Sequence, residues 1–115
     1  MKFMLLIHGD EQAMMANTKV GATGMSPEYA AYNDALIKAG AMLGGERLQP
    51  TNTAASVRIR NGKTEVLDGP YAETKEQFGG YYLIEAADID AATDWARQCP
   101  ASLFGTIEVR PVVQG

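Results

Sequence analysis

Two stretches of this chain are apolar on both sides, and they limit its fold more than any other feature. Phe3-Met4-Leu5-Leu6-Ile7 is an unbroken apolar run. Over residues 80–86 there are two alternating sets, Tyr81 with Leu83 and Tyr82 with Ile84, and both are apolar or aromatic. Strands of this kind sit centrally in a sheet and are covered on both faces. The fold must therefore supply two coverings.

Local signals account for one of them. Ser26 can cap a helix, Pro27 suits its first position and Glu28 its positive end. Tyr29, Tyr32, Leu36 and Ile37 then share a face, and Gly40 stops the helix. Asp88 caps a second helix with Ile89, Ala92, Trp95, Ala96 and Cys99 on one face, ended by Pro100. Residues 42–48 read as a strand with a bulge at Gly44-Gly45. Residues 106–112 read as a strand with one wet side, Ile107 and Val109 alternating with Glu108 and Arg110.

Residues 56–67 read as a hairpin, because Asn61-Gly62 between alternating segments calls for a type I′ turn. The register then sets Arg60 against Lys63, Ile59 against Thr64, Arg58 against Glu65 and Val57 against Val66. One hairpin face is apolar, the other carries an Arg58–Glu65 pair, and the Arg60–Lys63 juxtaposition is mildly unfavourable. The element order gives two split βαβ units. The expected fold is α+β, a ferredoxin-like antiparallel sheet with two helices on one face. Two helices cover one side only, so the second covering is expected from another copy of the same face in a two-fold homodimer.

Composition narrows the partners. A chain of 115 residues is read as a single domain, 1–115, burying roughly two thirds of its unfolded surface. A net charge of −4 with scattered basic residues argues against a nucleic-acid partner. The first apolar run ends at His8-Gly9-Asp10, too soon for a secretory signal, and nothing approaches the roughly 20 apolar residues of a membrane span. The single Cys99 cannot form an internal disulfide. No membrane partner and a cytoplasmic location are expected. Residues 9–25, with Met14-Met15, form a long connection that reads as a surface excursion with one helical turn or as a substrate lid.

Chemistry concentrates after the hairpin. In Asp68-Gly69-Pro70, glycine opens otherwise forbidden backbone angles, proline fixes φ, and the carboxylate can accept backbone N–H bonds. That is a well-built turn whose polar groups can satisfy their own backbone. It is equally the start of a ligand site, since Tyr71, Glu73, Lys75 and Glu76 follow before Gly79-Gly80, where a ligand or another backbone can come close. His8, the only histidine, ends the first strand on the face of Met4 and Leu6. It reads either as a hydrogen-bonded strand-end residue or as a proton shuttle oriented by Asp68 across a shared cavity. Cys99, at the end of an apolar helix face, reads as packing. One histidine and one cysteine without ligand spacing argue against a zinc site. Asp68, Glu73 and Glu76 offer a divalent ion only an unspecific carboxylate set, so no metal is expected, and no phosphate or dinucleotide loop marks a cofactor.

The run Asp68-Gly69-Pro70-Tyr71-Ala72-Glu73-Thr74-Lys75-Glu76-Gln77, continuing into Gly79-Gly80-Tyr81-Tyr82-Leu83-Ile84-Glu85, resembles the DGPF-motif branch of the YCII-related family, with Tyr71 where that branch has Phe. The resemblance covers nearly the whole chain. It implies ferredoxin-like subunits that pair as a dimeric α+β barrel. The wider family carries a proposed His–Asp pair that does not carry over. The first helix begins Tyr29-Ala30-Ala31-Tyr32 without a histidine, and Cys99 stands before Pro100. The branch also commonly has Tyr at the place of His8.

The expected function is a small homodimer that binds or acts on a small polar metabolite by metal-free acid–base chemistry. His8 and Asp68 are its expected catalytic residues, and Gly69, Pro70, Tyr71, Glu73, Glu76, Gly79 and Gly80 its ligand-binding ones. The alternative is a non-catalytic binding or regulatory module, which the resemblance links to transcription control because DGPF-type genes often lie beside sigma-factor genes.

Overall fold

A computed structural model describes residues 1–13 and 26–114. Most of the connection at residues 9–25, with both readings of it, therefore lies outside the described residues. Its beginning is seen, where Asp10 Oδ1 accepts the Ala13 N–H at 3.0 Å and opens a helical turn.

The elements are β1 (Lys2–Gly9), α1 (Pro27–Lys38), β2 (Met42–Arg47), β3 (Ala55–Arg60), β4 (Lys63–Asp68), β5 (Gln77–Glu85), α2 (Ile89–Gln98) and β6 (Thr106–Pro111). Four of the strands form one antiparallel sheet in the order β2-β5-β1-β6, the ferredoxin-like arrangement. Along β1 the side chains alternate. Phe3, Leu5 and Ile7 are buried with Tyr82 and Ile84 against Tyr32 and Leu36 of α1 and Ala92 and Ala96 of α2. Each fully buried large side chain there contributes about 2–3 kcal/mol by leaving water.

The opposite face of the same strands carries Met4, Leu6, Tyr81 and Leu83, all half-buried and with neither helix over them. Both helices thus lie on one side, and the second apolar face stays open on the subunit.

The helix ends follow their chemistry. Ser26 Oγ accepts the Tyr29 N–H at 3.3 Å, and Pro27 occupies the first turn. At the other end Gly40 takes φ +71°, while the Gly40 and Ala41 N–H groups reach back to Ile37 and Leu36 at 3.0 and 2.9 Å. This Schellman closure satisfies carbonyls that a straight end would orphan. Asp88 Oδ1 caps α2 through the Ala91 N–H at 2.9 Å.

Two residues depart from their expected faces, Ile89 at the start of α2, 45% exposed, and Ile37 in α1. Ile37 lies 62% exposed although Leu36 beside it is wholly buried, because one residue turns a helix by about 100° and the sheet covers only the arc centred on Tyr32 and Leu36.

The hairpin takes the expected register, Val57 on Val66, Arg58 on Glu65, Ile59 on Thr64 and Arg60 on Lys63. Asn61 and Gly62 adopt φ of 51° and 75°, as a type I′ turn demands. Arg58 Nε donates to Glu65 Oε2 at 2.8 Å. The two strands form a sheet of their own with sparse contacts to the rest of the subunit. β2 has a bulge, one residue before the expected Gly44-Gly45. Met42 pairs with Ile84 and Gly44 with Leu83, leaving Leu43 over.

Candidate functional site

A second bulge, not anticipated from the sequence, builds the site. Ile7 pairs with Gly80 but His8 pairs with Phe78, so Gly79 is the extra residue. In regular pairing Phe78 would share the helix-side face of Gly80, since side chains alternate with period two. The inserted residue turns Phe78 onto the open face beside His8, where the ring centroids lie 5.5 Å apart at 47°.

β5 accordingly starts at Gln77 and contains both glycines. The Gly79 carbonyl accepts the Leu48 N–H at 2.9 Å. A Cβ on Gly80 would stand 3.0 Å from the Glu46 carbonyl oxygen, so the close approach it permits is that of β2.

His8 is held by a residue that no sequence motif marks. Its Nε2 lies 3.2 Å from Glu108 Oε1, and Arg110 engages the other oxygen of that carboxylate. The Arg110 guanidinium first, and then His8, keep the Glu108 carboxyl below the usual carboxylate range. An ionised carboxylate only accepts, so Nε2 carries the proton in this bond and Nδ1 of a neutral ring keeps its lone pair. By alternation Glu108 belongs to the wet side of β6, and one hundred residues separate it from His8 in sequence.

Gly105 passes against the same corner. A Cβ there would meet the His8 carbonyl oxygen at 2.1 Å.

Beyond His8 and Phe78 an open groove of about 920 Å³ runs between residues 48–54 on one side and 70–76 on the other. Two polar side chains tie these walls together. The Glu11 carboxylate accepts the Thr51 N–H at 2.7 Å and its hydroxyl at 3.0 Å, while the Glu11 N–H donates to Gln77 Oε1 at 3.0 Å. Gln77 Nε2 then donates to the Thr74 carbonyl at 2.6 Å. Thr106 Oγ1 donates to Glu76 Oε1 at 2.8 Å, which fixes the lower rim. Glu11, Thr51 and Gln77 had no motif to mark them.

Of the expected site residues, His8, Pro70, Tyr71, Glu73 and Glu76 line this groove. Asp68, Gly69, Gly79 and Gly80 are not among its lining residues. Gly69 works on the backbone. At φ +95° its N–H donates to the Ala54 carbonyl at 2.6 Å, and its own carbonyl accepts Ser56 Oγ at 2.9 Å, closing the base of the hairpin. Asp68 is exposed, paired through its backbone with Ala55, and its carboxylate makes no hydrogen bond or ion pair among the described residues. The ring of His8 is therefore oriented by Glu108, with no bond to Asp68.

Cys99 is buried, and burial pushes its thiol up, away from a reactive thiolate. Among the described residues no three His, Cys, Asp or Glu side chains converge as a metal site needs. No helix of the described residues is long and apolar enough to cross a membrane.

The antiparallel sheet, its one helical layer and the groove at the bulged end define a small α+β protein of the type that builds dimeric α+β barrels. A solved structure with this fold is the 5-chloro-2-hydroxyhydroquinone dehydrochlorinase TftG of Burkholderia phenoliruptrix AC1100, in complex with 2,5-dihydroxybenzoquinone. It matches 100% of this chain and 96% of its own, with a TM-score of 0.52 at 17% identity. The chain belongs to the YCII-related family, whose domain matches residues 1–114. A relative in that range is an uncharacterized protein of Rhizobium meliloti (strain 1021), 38% identical over 114 residues, covering 97% of this chain and 92% of the relative.

Proposed function

We propose that this protein is a cytoplasmic homodimer of the DGPF branch, a single domain that binds a small, uncharged or cationic polar metabolite in the groove. There His8 moves a proton without a metal. The observation that carries the reading is His8 at the groove floor, its Nε2 on an ionised Glu108. A carboxylate that fixes one ring nitrogen leaves the other able to take a proton, and it stabilises the imidazolium formed.

The ligand class follows from the lining, which contains Glu73 and Glu76 and no lysine or arginine. An anion would find no counter-charge from the lysines and arginines of the same subunit. Hydroxyl and amide groups of Thr51, Asn52 and Gln49 suit a hydroxylated ligand, and Phe78 and Tyr71 offer ring faces. TftG holds a small dihydroxylated ring on the same fold, which supports a ligand of that size. Asp68, at the margin beside Pro70, is proposed as the second proton-handling group, engaging once ligand is bound. The homodimer supplies the second covering that Met4, Leu6, Tyr81 and Leu83 require.

A non-catalytic binding module, tied to sigma-factor-controlled transcription in this branch, is the second reading. It is favoured by the absence of any bond between His8 and Asp68 among the described residues.

A thermal-shift screen of small hydroxylated aromatics and polar metabolites, followed by turnover assays on the binders, tests both readings. Catalysis predicts conversion by the wild type that is lost in His8→Ala and reduced in Asp68→Asn and Glu108→Gln. Binding that persists in all three variants, without conversion by the wild type, establishes the module.

A further inference from the structure

The β3–β4 hairpin is built to be half-buried, yet its own subunit does not bury it. Val57, Ile59 and Val66 share one face and are 63%, 70% and 62% exposed. The radius of gyration is 15.9 Å, against about 13 Å for a compact chain of this length, and the longest dimension is 48 Å. The hairpin stands off the body as an arm.

Charge distinguishes the arm from the rest. Over residues 56–67 it carries Arg58, Arg60 and Lys63 against the single acid Glu65, in a chain whose net charge is −4. At the tip Arg60 faces Lys63 directly, and neither has an ion-pair partner among the described residues. Two like charges set opposite each other weaken a hairpin, unless an acidic surface receives them. Such a surface exists on the same chain. The groove lining carries Glu73 and Glu76 and no lysine or arginine, and its flanking segments add Asp10, Glu11 and Asp68 against Arg47 and Lys75. The arm is cationic and apolar, and the groove rim is anionic.

We propose that the β3–β4 hairpin is a docking arm for a second copy of this chain, its Val57, Ile59 and Val66 face packed on that copy and its Arg60–Lys63 tip seated at that copy's groove rim beside Glu73 and Glu76. Each groove is then shared between two subunits, and one wall of the ligand site comes from the partner. The inference rests on the homodimer proposed above and adds what completes its cleft.

Sedimentation equilibrium at micromolar concentration tests it with three variants, each first checked for a wild-type far-UV spectrum. Ile59→Asp places a charge in the arm's apolar face and is expected to raise the dimer Kd about 30-fold or more. The tip reversal Arg60→Glu with Lys63→Glu, and the rim reversal Glu73→Lys with Glu76→Lys, are each expected to raise it about tenfold at low salt and less at high salt. Mixing the two reversal variants pairs each tip with a rim of opposite sign, and is expected to restore wild-type affinity.

A wild-type dimer that Ile59→Asp and the tip reversal leave unchanged overturns the arm and leaves the sheet-face dimer standing. Weakened variants that do not recover on mixing overturn the seat at the rim. A wild type that sediments only as a 12.4 kDa species overturns both the arm and the dimer.

Discussion

Alkaline unfolding probes the helix-side core directly. Tyr29, Tyr32 and Tyr82 all lie in or against it, and burial, reinforced by the neighbouring Cys99, raises each phenol far above its ordinary value. The folded protein therefore keeps three phenolic protons that the unfolded chain releases near pH 10. A group whose folded pKa is raised stabilises fully below its unfolded pKa, and that stability drains away as pH climbs above it. One unit above, at pH 11, each such tyrosine has lost about 1.4 kcal/mol, so the three together cost about 4 kcal/mol. Burial raises the Cys99 thiol as well, which acts in the same direction. Against a total of 5–15 kcal/mol for a domain, this is a large fraction. Urea denaturation followed by far-UV circular dichroism, at fixed protein concentration from pH 7 to 11.5, is expected to give a flat stability up to about pH 9 and a steep fall beyond it. Tyr32→Phe is expected to remove about a third of the tyrosine share of that fall. A stability at pH 11 within about 1 kcal/mol of that at pH 8 would refute the reasoning, because phenols that ionise in place cannot be buried as described.

Three further perturbations discriminate between parts of the structure. Leu36→Ala opens a cavity at a wholly buried position and should cost about 3 kcal/mol by urea denaturation, whereas Ile37→Ala, one residue on and 62% exposed, should cost less than about 0.5 kcal/mol. Gly105→Ala brings a methyl within 2.1 Å of the His8 carbonyl oxygen, so β1 and β6 must part; a loss of about 1–3 kcal/mol is expected, with displaced His8 ring resonances in NMR spectra. Glu65→Gln breaks an exposed 2.8 Å pair with Arg58 and should shift stability by no more than about 0.5 kcal/mol, measured by thermal denaturation.

What the sequence disclosed depended on how local the cause was. The hairpin register was legible to the residue because two adjacent residues, Asn61 and Gly62, impose the turn and the turn imposes the pairing. Both caps were legible because Ser26 and Asp88 each bond an N–H three residues away. The open apolar face could be foreseen because alternation along β1 and β5 needs no knowledge of their neighbours. The groove could not. Its floor depends on which residue of β5 falls opposite His8, and its walls meet through Glu11, Thr51 and Gln77, which come from three segments with no spacing in common. Glu108 looked like an ordinary outward residue of a strand with one wet side, and only the β1–β6 register brings it to His8.

The glycines after Asp68 show why a conspicuous motif can point to a site without forming it. Gly69 takes a positive φ so that its N–H can close the hairpin base, Gly79 is the bulge, and Gly80 admits the β2 backbone. Each is spent on main-chain geometry. Their joint effect is nonetheless chemical. Gly69 sets where the arm leaves the body and where Pro70 and Tyr71 enter the groove. Gly79 turns Phe78 to the face on which His8 and Glu108 already lie. Deleting Gly79 would make the pairing regular with Phe78 still opposite His8, whereas a register in which Gly79 itself paired with His8 would turn Phe78 to the helix side and take its ring from the groove, with every side chain of the site still in the sequence. The placing of Phe78 beside His8 on this sheet is therefore a property of its register, and the residue that controls it carries no functional group.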